Sequence, residues 1–366
     1  MKIIISGGGT AGHVNPGIAI AKYYQKRHPD TQILFVGTEK GIEKSLATNE
    51  GFDYASVEVS GLKRSFSPKG IAQNVKISAQ ALKSVGIAKK IIKDFHPDVI
   101  IGCGGYVSFP VVYAGQKLGV KTIVLEVNIF AGVTTKVLSK KCDKILLAFS
   151  DTKQHLNRRV LDKVLVTGSP TKEDFKIIDK QIARKALKLS EKPLVVSFWG
   201  STGALYMNKK MVDFTQHKDD SFIHIHATGK NAFEWFKNEA NGENSEIVEY
   251  IYNMPRVMAA ADLVICRGGA ATISELSIMG KPAIIVPSPY VAENHQEQNA
   301  RTIERAGGCK VMLEKEISGD DILNECKKLL KQPQKLAQMS KNIAKLANSN
   351  SNELIYNVLV ELNSSR

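Results

Sequence analysis

The sequence predicts an α/β protein of two Rossmann-like parallel-sheet domains facing across a cleft. Three observations predict it. Short apolar runs alternate with amphipathic stretches of about 10–20 residues from end to end, the pattern of right-handed βαβ units. At least four of these runs end in glycine-rich turns that lead into a helical pattern, two in each half. The charge is also divided: residues 1–165 hold 24 Lys and Arg against 12 Asp and Glu, whereas residues 166–366 hold 26 against 24.

In chain order, the first half offers strands at 2–6, 32–36, 99–101, 122–125 and 144–147. The second offers 194–198, 222–226, 246–250, 263–266 and 283–286. The polar run "TGSPTKEDF" from Thr167 to Phe175 reads as the joint, so the expected domains are 1–166 and 167–345. The tail "SNELIYNVLVELN" is amphipathic and follows a polar stretch; a helix over 350–366 is expected to pack back on the first domain.

The glycine turns are "SGGGTAGH", "GCGGYVS", "WGSTG" and "CRGGAATISE". Free N–H groups and the positive dipole end at a helix N-terminus suit phosphate. Gly7, Gly9 and Gly12 stand in G-x-G-x-x-G spacing, so a nicotinamide dinucleotide must be weighed. That reading needs an acid at the end of the second strand to bind a ribose. Here "QILFVG" ends in Gly37 and Thr38, with Glu39 displaced beyond them. The acid appears instead in the second half. Glu275 lies about one turn into the helix that follows Gly268 and Gly269, beside Thr272, where a carboxylate can accept both hydroxyls of a ribose diol. A solvent-facing glutamate is the plain alternative.

Composition narrows the class. Apolar content of 43% and charged content of 23% are those of a globular protein. The N-terminus lacks the apolar stretch of a signal peptide, and no run is long enough for a spanning helix. Five scattered cysteines without a C-x-x-C are expected to be reduced, as in a cytosolic protein. A net charge of +14 favours an anionic partner. Between Val59 and Lys93 there are eight basic residues and no acidic one. Lys69, Lys76, Lys83 and Lys90 recur every seven residues and form one helical stripe. With Leu62, Lys63, Arg64 and Phe66 beside them, an anionic membrane surface is the expected partner, against the plain reading of a solvated face. Aromatic stacking platforms are not interleaved, so nucleic acid is not expected.

Taken in order, "GGGTAGHVNPGIAIA", "SGLKR", "PDVIIGCGGYVSFP", "GSTGA", "ADLVICRGGAATISEL" and "NHQEQNA" resemble the MurG family, across essentially the whole chain. Members transfer N-acetylglucosamine from UDP-GlcNAc to undecaprenyl-diphospho-muramoyl-pentapeptide in peptidoglycan synthesis. The resemblance implies a GT-B fold, with the lipid-linked acceptor on the first domain and the donor on the second. It implies that Ser201, Ala270 and Ala271 hold the donor diphosphate, that Ile251 meets the uracil through its backbone, and that Glu275 binds the ribose. Gln296 and Asn299 would read sugar hydroxyls of UDP-GlcNAc, and Thr10, Ala11, Gly12 and Asn128 would border that sugar from the acceptor side. Lys172 stands where members often carry arginine. Gly8, Gly9, Gly104, Gly105 and Tyr106 would cradle the acceptor diphosphate. The chain has "LEVN" at 125–128 where members usually have "HEQN", and Trp199 replaces a glycine.

Inverting transfer needs a base for the attacking 4-hydroxyl and stabilisation of the departing diphosphate. His13 is one base, with phosphate binding or helix capping as its alternative roles, and Glu126 is the other. Helix N-terminal amides would stabilise the leaving group. No Asp-x-Asp pair suits a bridging cation, so no cofactor or protein-bound metal is expected. His224 and His226 alternate along one strand without a nearby carboxylate or cysteine, and are expected to be structural or surface residues rather than a metal site. The expected location is peripheral, at the cytoplasmic face of the membrane. Another UDP-GlcNAc-using enzyme, such as a glycolipid synthase or a 2-epimerase, and a non-catalytic nucleotide-sugar-binding protein are the alternatives.

Overall fold

A computed structural model describes residues 1–59, 68–171, 175, 178–200, 203–240, 244–291, 294–348 and 350–364, without the side chains of 68–79, 81 and 82. The elements run β1 (Lys2–Ser6), α1 (Ala11–Arg27), β2 (Gln32–Gly37), α2 (Ile42–Asn49), β3 (Asp53–Ser56), α3 (Pro68–Phe95), β4 (Val99–Gly102), α4 (Gly105–Lys117), β5 (Lys121–Glu126), α5 (Val133–Leu138), β6 (Lys144–Leu147) and β7 (Val164–Val166). They continue with α6 (Lys180–Ala186), β8 (Leu194–Phe198), α7 (Leu205–His217), β9 (Ile223–Ala227), α8 (Phe233–Glu239), β10 (Glu246–Val248), α9 (Met254–Ala260), β11 (Leu263–Cys266), α10 (Ala270–Met279) and β12 (Ala283–Ile285). The chain ends with α11 (His295–Arg305), β13 (Cys309–Val311), α12 (Gly319–Leu330), α13 (Pro333–Ala344) and α14 (Ser351–Ser364).

Two compact units result, Met1–Glu173 with Asn348–Arg366, and Asp174–Ala347. The first holds a parallel sheet in the order β3-β2-β1-β4-β5-β6-β7. Its central strands read "KIIIS" and "VIIG", because strands covered by helices on both faces are apolar without alternation. Ile4, Ile100, Val124 and Ile145 form the core with Val111 and Val112 of α4 and Val85, Ala88 and Ile92 of α3. Lys83 and Lys90 are exposed on α3, and Lys83 approaches Glu58 at 4.0 Å.

Helix α14 packs on α1. Tyr356 stacks on His28, whose Nε2 lies 3.0 Å from its hydroxyl, and Arg27 covers the Tyr23 ring while pairing with Glu353 at 3.0 Å. The C-terminal helix thus belongs to the first unit through an aromatic and ionic clasp.

The second unit holds a parallel sheet in the order β10-β9-β8-β11-β12-β13. Its core gathers Val195, Ile265 and Ile284 with Phe214, Phe222, Phe236 and Leu323. Both units are therefore Rossmann-like and α/β, as the alternation of runs predicts. All five cysteines are free and buried. No helix among the described residues is long and apolar enough to cross a membrane.

Candidate functional site

In a parallel sheet the loops at the carboxyl ends of the central strands converge, and both units follow this rule. In the first unit, β1 and β4 are neighbours, with Ser6 opposite Gly102. The loops that follow them interlock. Cys103 N–H donates to Ser6 O at 2.7 Å. A Cβ built on Gly105 would lie 2.2 Å from Gly8 O, and one on Gly104 would lie 2.6 Å from His13 Nδ1. Both residues have φ in the left-handed region, +97° at Gly104 and +73° at Gly105, so their backbones are set by glycine alone. The sequence places His13 at a helix start; the structure seats its ring directly against this second glycine turn.

Thr10 is the N-cap of α1 in extended conformation and makes no side-chain cap, so Thr10, Ala11 and Gly12 present open backbone. Gly9 (φ +81°) faces the Tyr106 ring, 3.1 Å from where its Cβ would stand. Burial is the main cause, with the Glu43 charge second, that raises the Tyr106 phenol above its ordinary pKa; it remains a neutral donor.

Glu126 ends β5 and is buried. Its Oε1 accepts Asn128 N–H at 3.0 Å and Asn128 Nδ2 at 3.2 Å; its Oε2 accepts Gly132 N–H at 3.1 Å and Thr135 Oγ1 at 2.6 Å. Both oxygens are thus engaged in shaping the 127–132 turn, and Asn128 O is fixed in turn by Thr152 Oγ1 at 3.1 Å. Leu125 and Val127, on either side of Glu126, are buried in the core.

In the second unit, α10 begins at Ala270 with Gly269 as an extended N-cap, no side-chain cap and no acidic residue in its first turn. This leaves N–H groups of Ala270, Ala271 and Thr272 for an anion. A Cβ on Gly268 would meet Gln296 O at 2.3 Å, so the Gly268–Gly269 turn touches the first turn of α11. Asn299 is buried and its Nδ2 donates to Gly268 O at 3.2 Å; Gln296 Oε1 accepts Ser288 N–H at 2.9 Å. Glu275 is the sixth residue of α10 and half-buried. Ile251 is buried between the exposed Tyr250 and Tyr252. The residues expected on the donor side thus come from the segments after β10 and β11 and from α11 onto one end of one sheet.

Beneath these turns lies a buried polar layer. Arg267 pairs with Glu314 at 2.5 Å, donates to Val286 O at 3.0 Å, and carries the Trp199 ring 5.7 Å away. Trp199 is buried, its indole packed into the core of the second unit. Ser197 Oγ bridges His224 Nε2 (2.8 Å) and His226 Nδ1 (2.7 Å), and His224 Nδ1 meets Ser245 Oγ at 2.9 Å. Burial lowers both imidazoles, His226 to about 3, so both are neutral internal hydrogen-bonding groups.

Lys172, Ser201, Leu62, Lys63, Arg64 and Phe66 lie outside the described residues, as do the side chains of Lys69 and Lys76. One group escapes the sequence reading altogether. Glu43 is 1% exposed and its carboxylate reaches the first glycine loop, Gly9 N–H donating to Oε2 at 3.3 Å. A lone Glu early in a short helix carries no sequence signal for this, because only the tertiary approach of α2 to the loop reveals it.

The glycosyltransferase family 28 N-terminal domain matches residues 3–147 and the family 28 C-terminal domain residues 194–355. A UDP-N-acetylglucosamine–N-acetylmuramyl-(pentapeptide) pyrophosphoryl-undecaprenol N-acetylglucosamine transferase of Acetivibrio thermocellus is 44% identical, over 99% of this chain and 98% of its own length. The protein of that name from Clostridioides difficile is 37% identical, over 100% of this chain and 90% of its own. Among solved structures, Acinetobacter baumannii MurG superposes with a TM-score of 0.77 at 23% identity, covering 98% of this chain and 99% of that one. A UDP-GlcNAc 2-epimerase from Neisseria meningitidis, bound to UDP-GlcNAc, superposes at 0.64 with 14% identity, covering 99% and 100%. At these identities the structural likeness speaks to the fold alone.

Proposed function

The chain belongs to glycosyltransferase family 28, among the N-acetylmuramyl-(pentapeptide) pyrophosphoryl-undecaprenol N-acetylglucosamine transferases, and from that premise we propose how its two loop sets divide the reaction. The enzyme transfers N-acetylglucosamine from UDP-GlcNAc to the muramoyl 4-hydroxyl of undecaprenyl-diphospho-muramoyl-pentapeptide. The second unit takes the donor. The open amides at Ala270, Ala271 and Thr272 meet its diphosphate, with Ser201 and Lys172 adding side-chain contacts. Glu275 accepts the ribose hydroxyls, Ile251 meets the uracil edge, and Gln296 and Asn299 orient the sugar. The first unit takes the acceptor, its diphosphate lying on the Gly8–Gly9 and Gly104–Gly105 turns beside Tyr106, with Thr10, Ala11, Gly12 and Asn128 facing the sugar.

In the transfer, the 4-hydroxyl oxygen forms a bond to C1 of N-acetylglucosamine as the bond from C1 to the diphosphate breaks. The electron pair leaves with UDP, the α-anomer becomes a β-1,4 linkage, and the hydroxyl proton passes to a base. His13 suits this role better than Glu126. Both Glu126 oxygens already accept hydrogen bonds within their own turn, whereas the His13 ring, a side chain that can take up a proton, sits against the Gly104 turn. The amides of α10 stabilise the departing charge without reorganising. The sequence offers no Asp-x-Asp pair to hold a bridging cation, and no protein-bound metal is part of this reading.

A peripheral position at the cytoplasmic face of the membrane follows from the substrate's lipid and the basic first half. Lys69, Lys76, Lys83 and the Leu62–Phe66 segment would contact anionic lipid. The observation that carries the mechanism is the seating of His13 against Gly104, between two glycine turns. His13→Ala should lower kcat by about a hundredfold or more while UDP-GlcNAc binding, measured by calorimetry, stays unchanged. Full activity in this variant, or loss of donor binding with it, would remove His13 from the chemistry.

A further inference from the structure

We propose that Glu43 is a positioning residue of the acceptor-diphosphate loop: its buried carboxylate clamps Gly9 and fixes Gly8–Thr10 in the shape that receives the acceptor. This rests on the assignment of the acceptor to the glycine turns of the first unit and deepens it. Glu43 is the second residue of α2 and is 1% exposed, an unusual place for a carboxylate. Three neutral donors hold it: Thr38 N–H at 3.0 Å and Thr38 Oγ1 at 2.6 Å on Oε1, and Gly9 N–H at 3.3 Å on Oε2.

The surroundings are cut to this side chain. A Cβ on Gly8 would lie 2.7 Å from Glu43 Cδ, and one on Gly37 would lie 2.5 Å from Cγ. Gly41, one residue before α2, leaves the same room on the third side. Tyr54 closes the turn by donating its hydroxyl to Thr38 O at 2.8 Å. A glutamate that served only to start α2 would need none of this enclosure. The carboxylate spans from the end of β2 to the loop after β1, and the loop it reaches is the one that carries Thr10 to His13.

Two consequences follow. Gly9 N–H is already satisfied by an internal anion, so the acceptor diphosphate must use other donors of the two turns. And removal of the clamp frees the loop, which the acceptor must then order on binding, so the loss falls on acceptor affinity. The donor turns belong to the other unit and are untouched.

The test compares Glu43→Gln, Glu43→Ala and Gly105→Ala in the full-length enzyme, with a soluble short-chain lipid-linked acceptor. Steady-state KM is measured for each substrate, and UDP binding by calorimetry reports on the fold of the donor unit. Losing charge-assisted hydrogen bonds at a buried group should raise the acceptor KM about ten- to a hundredfold in Glu43→Ala, and less in Glu43→Gln, which keeps one acceptor oxygen. Donor KM and UDP affinity should not move. An acceptor KM raised by Gly105→Ala and unchanged by both Glu43 variants would overturn the clamp and leave the loop assignment standing. An acceptor KM unchanged in all three would overturn the loop assignment itself. Equal losses of acceptor and donor affinity in Glu43→Gln would mean that Glu43 serves the fold at large, and would also overturn the proposal.

Discussion

Gly268→Ala tests the proposed donor site at a point of close backbone contact. Gly268 is not in a left-handed conformation, so alanine meets no backbone penalty there. The whole effect is steric. The new Cβ would stand 2.3 Å from Gln296 O, 3.0 Å from Gln296 C and 3.3 Å from Gln296 Cα, all backbone atoms that no side-chain rotation can move. Ordinary contact requires roughly 3.4 Å or more, so the Gly268 turn and the first turn of α11 must part by about 1 Å. Overpacking of this kind costs about 1–3 kcal/mol of stability. The functional cost is larger, because the turn carries Gly269 and the open amides of α10 on one side, and Gln296 and Asn299 on the other. A misplacement of about 1 Å in such a site is worth about a hundredfold in rate. The assay is calorimetric titration of UDP-GlcNAc together with kcat/KM for each substrate. Donor affinity should fall by about a hundredfold and the acceptor KM should hold. Gly86→Ala is the control: nothing lies within 4 Å of its Cβ, and an exposed helical glycine replaced by alanine gains about 0.4–1 kcal/mol. Wild-type donor affinity in folded Gly268→Ala would refute the assignment of the Gly268–Gln296 contact to the donor site.

Two further outcomes concern the layer beneath the loops. His226 has a folded pKa of about 3 against an ordinary value of 6.5, so it is neutral in the fold and takes up a proton when unfolded below pH 6.5. Its contribution is complete above pH 6.5 and declines as pH falls from 6.5 towards 3, by about 1.4 kcal/mol per pH unit. Urea unfolding of the second unit at pH 7, 6 and 5 should show this decline, and NMR should find the ring neutral at pH 5; a ring titrating near 6.5 would contradict its burial. Arg267→Met leaves the buried Glu314 carboxylate unpaired and should cost about 3–5 kcal/mol, whereas Arg267→Met with Glu314→Leu should recover most of it. A single variant as stable as the parent in urea would show that the pair does not hold the loops.

The ten runs read from the alternation of apolar segments all appear as strands, nine of them to within one residue at each end, and 2–6, 144–147, 194–198 and 263–266 match outright. The three strands that were not legible, β3, β7 and β13, are all sheet edges. The reason is physical. Edge strands are covered less, and none of the residues of β3 or β7 is buried, so they lack the continuous apolar run that marks a central strand. The glycine turns were legible because tight βα connections need glycine wherever φ is positive, as at Gly9, Gly104, Gly105 and Gly203. What the turns touch was not. The seating of His13 on Gly104, the contact of Gly268 with α11, and the reach of Glu43 to Gly9 join residues 28 to 91 positions apart. No local pattern encodes such approaches. Glu126 shows the converse: the sequence offers it as the other base, and the four hydrogen bonds that tie both its oxygens to the 127–135 segment show only in the fold.

The central claim is transfer of N-acetylglucosamine to a lipid-linked muramoyl acceptor, and its most direct test is UDP release from UDP-GlcNAc with and without a short-chain undecaprenyl-type diphospho-muramoyl-pentapeptide. The account predicts release that requires the acceptor, with one β-1,4-linked disaccharide formed per UDP. Conversion of UDP-GlcNAc without acceptor, or tight donor binding with no release in its presence, would contradict it.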